Sequence, residues 1–215
     1  MIRQSGAVRP RTVDRLPFWC VLAAIALLAC AAISWVISPT WGRHNTLAAA
    51  RDVGRVPTAP GALAALVTPE QIEIPKLHVK APIVAIGTTA GRELAVPTDP
   101  RVVGWWRHGA APGARHGTAV LAGHINYAGV EGSLARIGTL DPGDVVYVRG
   151  LHKGKRTTVR FKITGVRTYQ KTALPYRQIF DQSTVGRLAI VTCGGPFDAS
   201  TGNYLNNIVA YAVPG

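Results

Sequence analysis

Residues 188–215 read "LAIVTCGGPFDASTGNYLNNIVAYAVPG". Two apolar runs, "LAIVT" and "IVAYA", flank a segment rich in Gly, Asp, Asn and Ser, the pattern of two strands joined across a turn-rich connection. Cys193 closes the first run and precedes a Gly-Gly pair. Glycine at that point lets the backbone turn away and lets another chain approach closely. No lysine or arginine follows Cys193, although the chain carries 24 of them. A cysteine in an apolar strand is ordinarily buried filler. At a strand terminus, filler and nucleophile are equally good readings.

The same texture extends back to Pro69. Short β-like runs broken by Gly and Pro occur at 71–75, 79–87, 102–106, 117–124, 144–149, 156–170, 186–193 and 206–213. About eight strands in this length predict a mostly β domain, a closed barrel or a sandwich. One short helix is expected over 129–140, where Leu134, Ile137 and Leu140 share a face, and a helical turn near Tyr176–Asp181.

Phe18–Ile37 is a run of 20 residues without a charge. At about 1.5 Å per helical residue it spans about 30 Å, the hydrocarbon thickness of a bilayer. Arg3, Arg9, Arg11 and Arg15 precede it, which predicts a cytoplasmic N-terminus, and Trp19 and Trp35 lie near its two ends. The run is long for the apolar part of a cleaved signal peptide. A rival reading takes "LLAC" at 27–30 as a lipoprotein cleavage box with Cys30 lipidated, but the apolar stretch continues for seven residues past Cys30. The chain therefore divides into a basic cytoplasmic N-terminus (1–15), a transmembrane signal anchor (16–37), an Ala/Gly/Pro-rich stalk (38–68) and an extracellular domain (69–215). This topology puts Cys20 and Cys30 in the membrane and leaves Cys193 as the sole thiol outside it. The formal charge of +13 persists as 20 basic against 10 acidic residues from Ser38 onward. Charges so dispersed do not choose among nucleic acid, anionic lipid and a wall polymer.

His124 closes the apolar strand "TAVLAG" and precedes the turn-prone "INYAG". By itself it reads as a surface histidine, or as a functional group on a barrel rim. His108, His116 and His124 recur every eight residues, but no helical i,i+4 pair or CxxC accompanies them, so no metal site is expected. If strands 117–124 and 186–193 are neighbours running in the same sense, His124 and Cys193 meet as acid/base and nucleophile for acyl transfer.

The histidine-first order, with the cysteine 69 residues later, and the stretches "VGWWRHGAAPGARHGTAVLAGHINY", "GSLARIGTLDPGDVVYV" and "RLAIVTCGGPFDASTGNYLNNIVAYA" resemble the sortase family, most closely the actinobacterial class F sortases. The resemblance covers most of 69–213. It implies a closed eight-stranded sortase-type β-barrel with one or two short helices after a single N-terminal transmembrane helix. It also implies a cysteine transpeptidase that cuts a Leu-Pro-X-Thr-Gly-like sorting signal between Thr and Gly. Cys193 would form a thioester and His124 would serve as general acid and base. The acceptor would be an amine of a cell-wall precursor or of another protein, with no cofactor, no metal and no nucleic acid partner. Such enzymes carry an arginine on the strand after the cysteine, and Leu205 stands at its expected position. Asn207, on the same face two residues on, is one candidate for its place, with Thr192 a further oxyanion or substrate contact. An arginine from elsewhere, such as Arg107, Arg115 or Arg177, is another, and an impaired or non-catalytic barrel that binds wall polymer or a partner protein is the third. Arg187 lies about 20 Å back along its strand and is a poor candidate.

Overall fold

The computed structural model describes residues 52–57 and 66–215. The basic N-terminus, the anchor at 16–37, Cys20, Cys30 and most of the stalk lie outside the described residues. Among the described residues no helix is long and apolar enough to cross a membrane.

Strand formation follows β-branched and aromatic side chains set in alternation. "VVYVRGLH" and the run "TTVRFKITGV" each turn alternate side chains inward. The strands are β1 (Val53–Gly54), β2 (Thr68–Ile74), β3 (Val79–Ile86), β4 (Val103–Trp106), β5 (Thr118–Ala122), β6 (Asn126–Tyr127), β7 (Val130–Glu131), β8 (Val145–His152), β9 (Lys155–Gln170), β10 (Arg187–Asp198) and β11 (Asn203–Pro214). One short helix, α1 (Tyr176–Ile179), falls within the predicted 176–181 turn. Eight strands pair in the order β9-β11-β10-β5-β4-β3-β2-β8, and β8 pairs back to β9, so the barrel closes and its edges disappear. Two of the pairings are parallel, β3 with β4 and β5 with β10.

Two predicted details are corrected. Residues 129–140 form no α-helix: they hold β7, the second strand of the β6–β7 hairpin, and a 3-10 turn at Ile137–Thr139. Leu134, Ile137 and Leu140 are nonetheless all buried as one patch against the barrel interior. Their spacing marked a buried face, and Gly132 and Gly138 discourage a longer helix. The other correction concerns "CGG", treated below.

The barrel carries apolar layers on both sides of one wall. Inside, Ile72, Ile74, Val148, Phe161, Leu121, Ile190 and Ile208 form the main core. Outside, Val120, Ala189, Val209 and Tyr211 are covered by Ile179, Phe180, Leu174, Leu94 and Trp106, contributed by the β9–β10, β3–β4 and β4–β5 regions. Hence "TAVLA" and "RLAI" are buried on both faces and read as unbroken apolar runs.

Arg187 anchors this outer layer. It is 5% exposed. It donates to Thr118 Oγ1 at 2.9 Å, to the Pro57 carbonyl at 3.0 Å and to the Gln178 carbonyl. One guanidinium thus ties β5, the segment before the barrel and α1 together. Arg187→Ala strands three buried acceptors and is expected to cost about 2–4 kcal/mol. A fall in urea midpoint at unchanged slope checks this.

Candidate active site

The parallel β5–β10 pair sets the site. Its register runs from Arg187 opposite Thr118 to Val191 opposite Ala122. The pairing continues beyond the strand: the Gly123 N–H donates to the Val191 carbonyl at 3.1 Å, and the Thr192 hydroxyl donates to the Gly123 carbonyl at 2.9 Å. Continued two further steps, this register would set His124 opposite Cys193, one strand spacing of about 4.8 Å away. Thr192 is 2% exposed, and its hydroxyl is committed to this strand-to-strand bond.

Cys193 lies opposite Asn207 across the β10–β11 ladder, and Asn207 lies opposite Tyr169 across β11–β9. By alternation these three continue the outward-facing rows of Val191, Val209 and Tyr211. Leu205 follows on the same face of β11 and is 49% exposed.

The sequence suggested that "CGG" ends the strand. It does not: β10 runs on to Asp198, paired with β11, through a register shift between Gly194 and Phe197. Such a bulge re-aims the strand without ending it. Gly195 takes φ +75°, and a Cβ there would stand 2.4 Å from Asn206 Nδ2. Only glycine fits, so the Gly pair shapes a bulge beside the thiol instead of a turn.

His124 is held from two sides. Its Nε2 lies 2.9 Å from the Pro97 carbonyl, and its ring lies 4.8 Å from that of Tyr127, tilted by 32°. A carbonyl only accepts, so this partner assigns the proton to Nε2 and leaves Nδ1 with the lone pair. The backbone below is crowded: a Cβ on Gly132 would come within 2.0 Å of the His124 carbonyl oxygen.

Cys193 is the free cysteine of the described residues, half-buried against Ile125, Ala135 and Tyr204. Burial pushes its thiol up from the ordinary cysteine value, Lys171 pulls it back, and Glu93 adds to the rise. The group is therefore a neutral thiol at neutral pH. Its alkylation by iodoacetamide is expected to accelerate through the alkaline range, with a midpoint above that of a free cysteine. A midpoint at or below the free value would contradict this charge balance.

The other candidates lie on other elements. Arg115 accepts a backbone bond from Gly186 through its carbonyl, at the far end of β10, and Arg177 lies on α1. Arg107 follows β4, where its N–H donates to the Ile86 carbonyl. His108 sits edge-on to Trp106 and His116 bridges to Val185. Sequence reasoning missed three groups: the Pro97 carbonyl, Glu93 and Lys171. The first two lie in an aperiodic β3–β4 connection, and Lys171 was one basic residue among many.

A family model described as the sortase domain matches residues 72–215. The chain belongs to the sortase family. Sortases are cysteine transpeptidases, and the closed eight-stranded barrel is the sortase fold. Solved sortases share that fold at low identity. Sortase C1 from Streptococcus suis matches with TM-score 0.52 at 14% identity, over 96% of this chain and 89% of that one. Sortase E1 from Streptomyces coelicolor, solved with a tripeptide in its active site, matches with TM-score 0.50 at 21% identity, over 73% and 91%. Sortase C1 from Streptococcus agalactiae matches with TM-score 0.51 at 18% identity, over 68% of this chain and 66% of that one. Among curated proteins none matches.

Proposed function

We infer that this sortase-family chain is a membrane-anchored cysteine transpeptidase acting outside the cell, of the class F type. It cleaves a Leu-Pro-X-Thr-Gly-like sorting signal between Thr and Gly and passes the acyl group to an amine of the cell wall or of another protein. The observation that supports the reading is the parallel β5–β10 pairing, which the Gly123 and Thr192 bonds carry past Ala122 toward His124 and Cys193.

The chemistry follows from the states of the two groups. The buried thiol is neutral, so attack requires proton transfer, and the Nδ1 lone pair of His124 is the acceptor. Sulfur adds to the threonine carbonyl carbon while the carbonyl π electrons move onto oxygen. As the tetrahedral intermediate collapses, the C–N bond breaks and the imidazolium returns its proton to the leaving glycine amine. The acceptor amine then reverses these steps on the thioester. Asn207, opposite Cys193 and on its face, is placed to donate a neutral hydrogen bond to the oxyanion. Thr192 works by joining the two strands. The span at 16–37 would anchor the domain, with the barrel on the outer side of the membrane.

A second reading, a sortase-like barrel that binds wall polymer or a partner without turnover, draws on Leu205 and on the absence of any basic residue in 194–215. Incubating the full-length chain with a Leu-Pro-X-Thr-Gly peptide and hydroxylamine separates them. A threonine hydroxamate supports the transpeptidase. Cleavage that gives only free acid when amine is present makes the chain a thiol peptidase. No product at all favours the binding role.

A further inference from the structure

Acyl transfer at Cys193 makes negative charge twice, first on sulfur and then on the carbonyl oxygen. In a partly dry site such charge is costly without a nearby cation or a set of donors. The arginine at the base of β10 does not serve, because Arg187 is buried at the opposite end of the strand and spends its donors on Thr118, Pro57 and Gln178. The strand after the cysteine carries no cation.

The register leads elsewhere. Cys193, Asn207 and Tyr169 stand side by side on β10, β11 and β9. Two strand spacings of about 4.8 Å separate the first from the last. Past Tyr169, Gln170 stays extended at φ −59°, ψ 141°, and the chain then enters a 3-10 turn at Lys171–Ala173. Leu174 next packs onto the outer cluster that includes Val191, two residues before Cys193. The segment therefore leaves β9 and folds over the outer face beside the thiol. Lys171 stands at its start, two residues past Tyr169, half-buried. The four-carbon stem of lysine gives its ammonium roughly 6 Å of reach. No carboxylate of the described residues pairs with it within ion-pair distance. On the other border, Glu93 precedes Leu94, which packs on the same outer cluster.

We propose that Lys171 is the cation of this active site, stabilising the Cys193 thiolate and the oxyanion of the acyl-transfer intermediate from the turn after β9 instead of from the strand that follows the cysteine. The assignment rests on the transpeptidase reading for the oxyanion, but its effect on the thiol does not. The direction of that effect agrees: Lys171 favours the ionised thiol, and Glu93 opposes it. Because lysine enters from the turn after a neighbouring strand, Leu205 is free to be apolar and exposed. Tyr204 packs with Cys193 in the satellite cluster, and Tyr169 stands two strands away at the same level.

Two measurements on the full-length chain test it. In the first, Cys193 is alkylated with iodoacetamide across a pH series. Lys171→Met, which keeps the apolar stem, should move the midpoint to higher pH. Lys171→Arg should hold it near the parent value, and Glu93→Gln should move it lower. In the second, hydroxamate formation from a Leu-Pro-X-Thr-Gly peptide should fall by about 10²-fold in kcat for Lys171→Met and recover in large part for Lys171→Arg. An unchanged alkylation midpoint in Lys171→Met, or an arginine variant no better than methionine, overturns the proposal. If the parent chain yields no hydroxamate, the transpeptidase reading fails, while the alkylation series still decides whether Lys171 acts on the thiol.

Discussion

Cys193→Ala abolishes hydroxamate formation and leaves the barrel folded. The thioester is the sole species through which the peptide carbonyl becomes reactive toward hydroxylamine, and an unactivated amide is inert to it on the timescale of the assay. The loss is therefore expected to be complete to the limit of detection. Folding should be nearly unaffected. The side chain is half-buried at a rim, packed against the small satellite cluster of Ile125, Ala135 and Tyr204, away from the main core. Exchange for alanine removes one sulfur atom, at a cost of about 1 kcal/mol. Mass spectrometry of the product and a thermal melt of the same sample check both halves. Parent-like product from Cys193→Ala would remove the nucleophile assignment and with it the mechanism.

His124→Ala is expected to lower turnover of the peptide by about 10²–10⁴-fold, the usual range for loss of a positioned acid/base. The reason is specific to this site. Burial holds the thiol in its neutral form, so the nucleophile needs a base, and the leaving amine needs the same proton back. A substrate whose leaving group departs without protonation, such as a thiophenyl ester of the same sorting peptide, should recover in His124→Ala only the part of the loss that came from protonating the leaving amine. It should recover none in Cys193→Ala. Burst kinetics with the two substrates provide the comparison. Equal loss with both would mean that His124 acts on thiol activation alone, and no loss with either would remove it from the mechanism.

Much of this was legible in the chain because β-strands announce themselves through alternation and punctuation. Eight predicted runs correspond to the eight barrel strands, with boundaries that moved by a few residues, most at the C-terminal end of β10. Where the reading failed, a local signal had a second meaning. "CGG" looked like a stop and is a bulge, since glycine permits both, and which one forms depends on whether β11 remains in reach to pair. Leu134, Ile137 and Leu140 looked like one helical face and are one buried patch on a 3-10 turn. Burial sets that pattern in either case.

The sequence by itself determined that this chain builds a β-barrel domain of the sortase family, with a histidine and a cysteine closing two apolar runs, because strand periodicity and motif residues are local properties. Only the tertiary structure decided that those strands run parallel and adjacent, with His124 tied to the Pro97 carbonyl. The charge balance of the thiol, raised by burial, lowered by Lys171 and raised by Glu93, likewise involves residues 22 and 100 positions away in the chain. Electrostatics and hydrogen bonding act through space, and the spacing of charges along a sequence carries no measure of that distance.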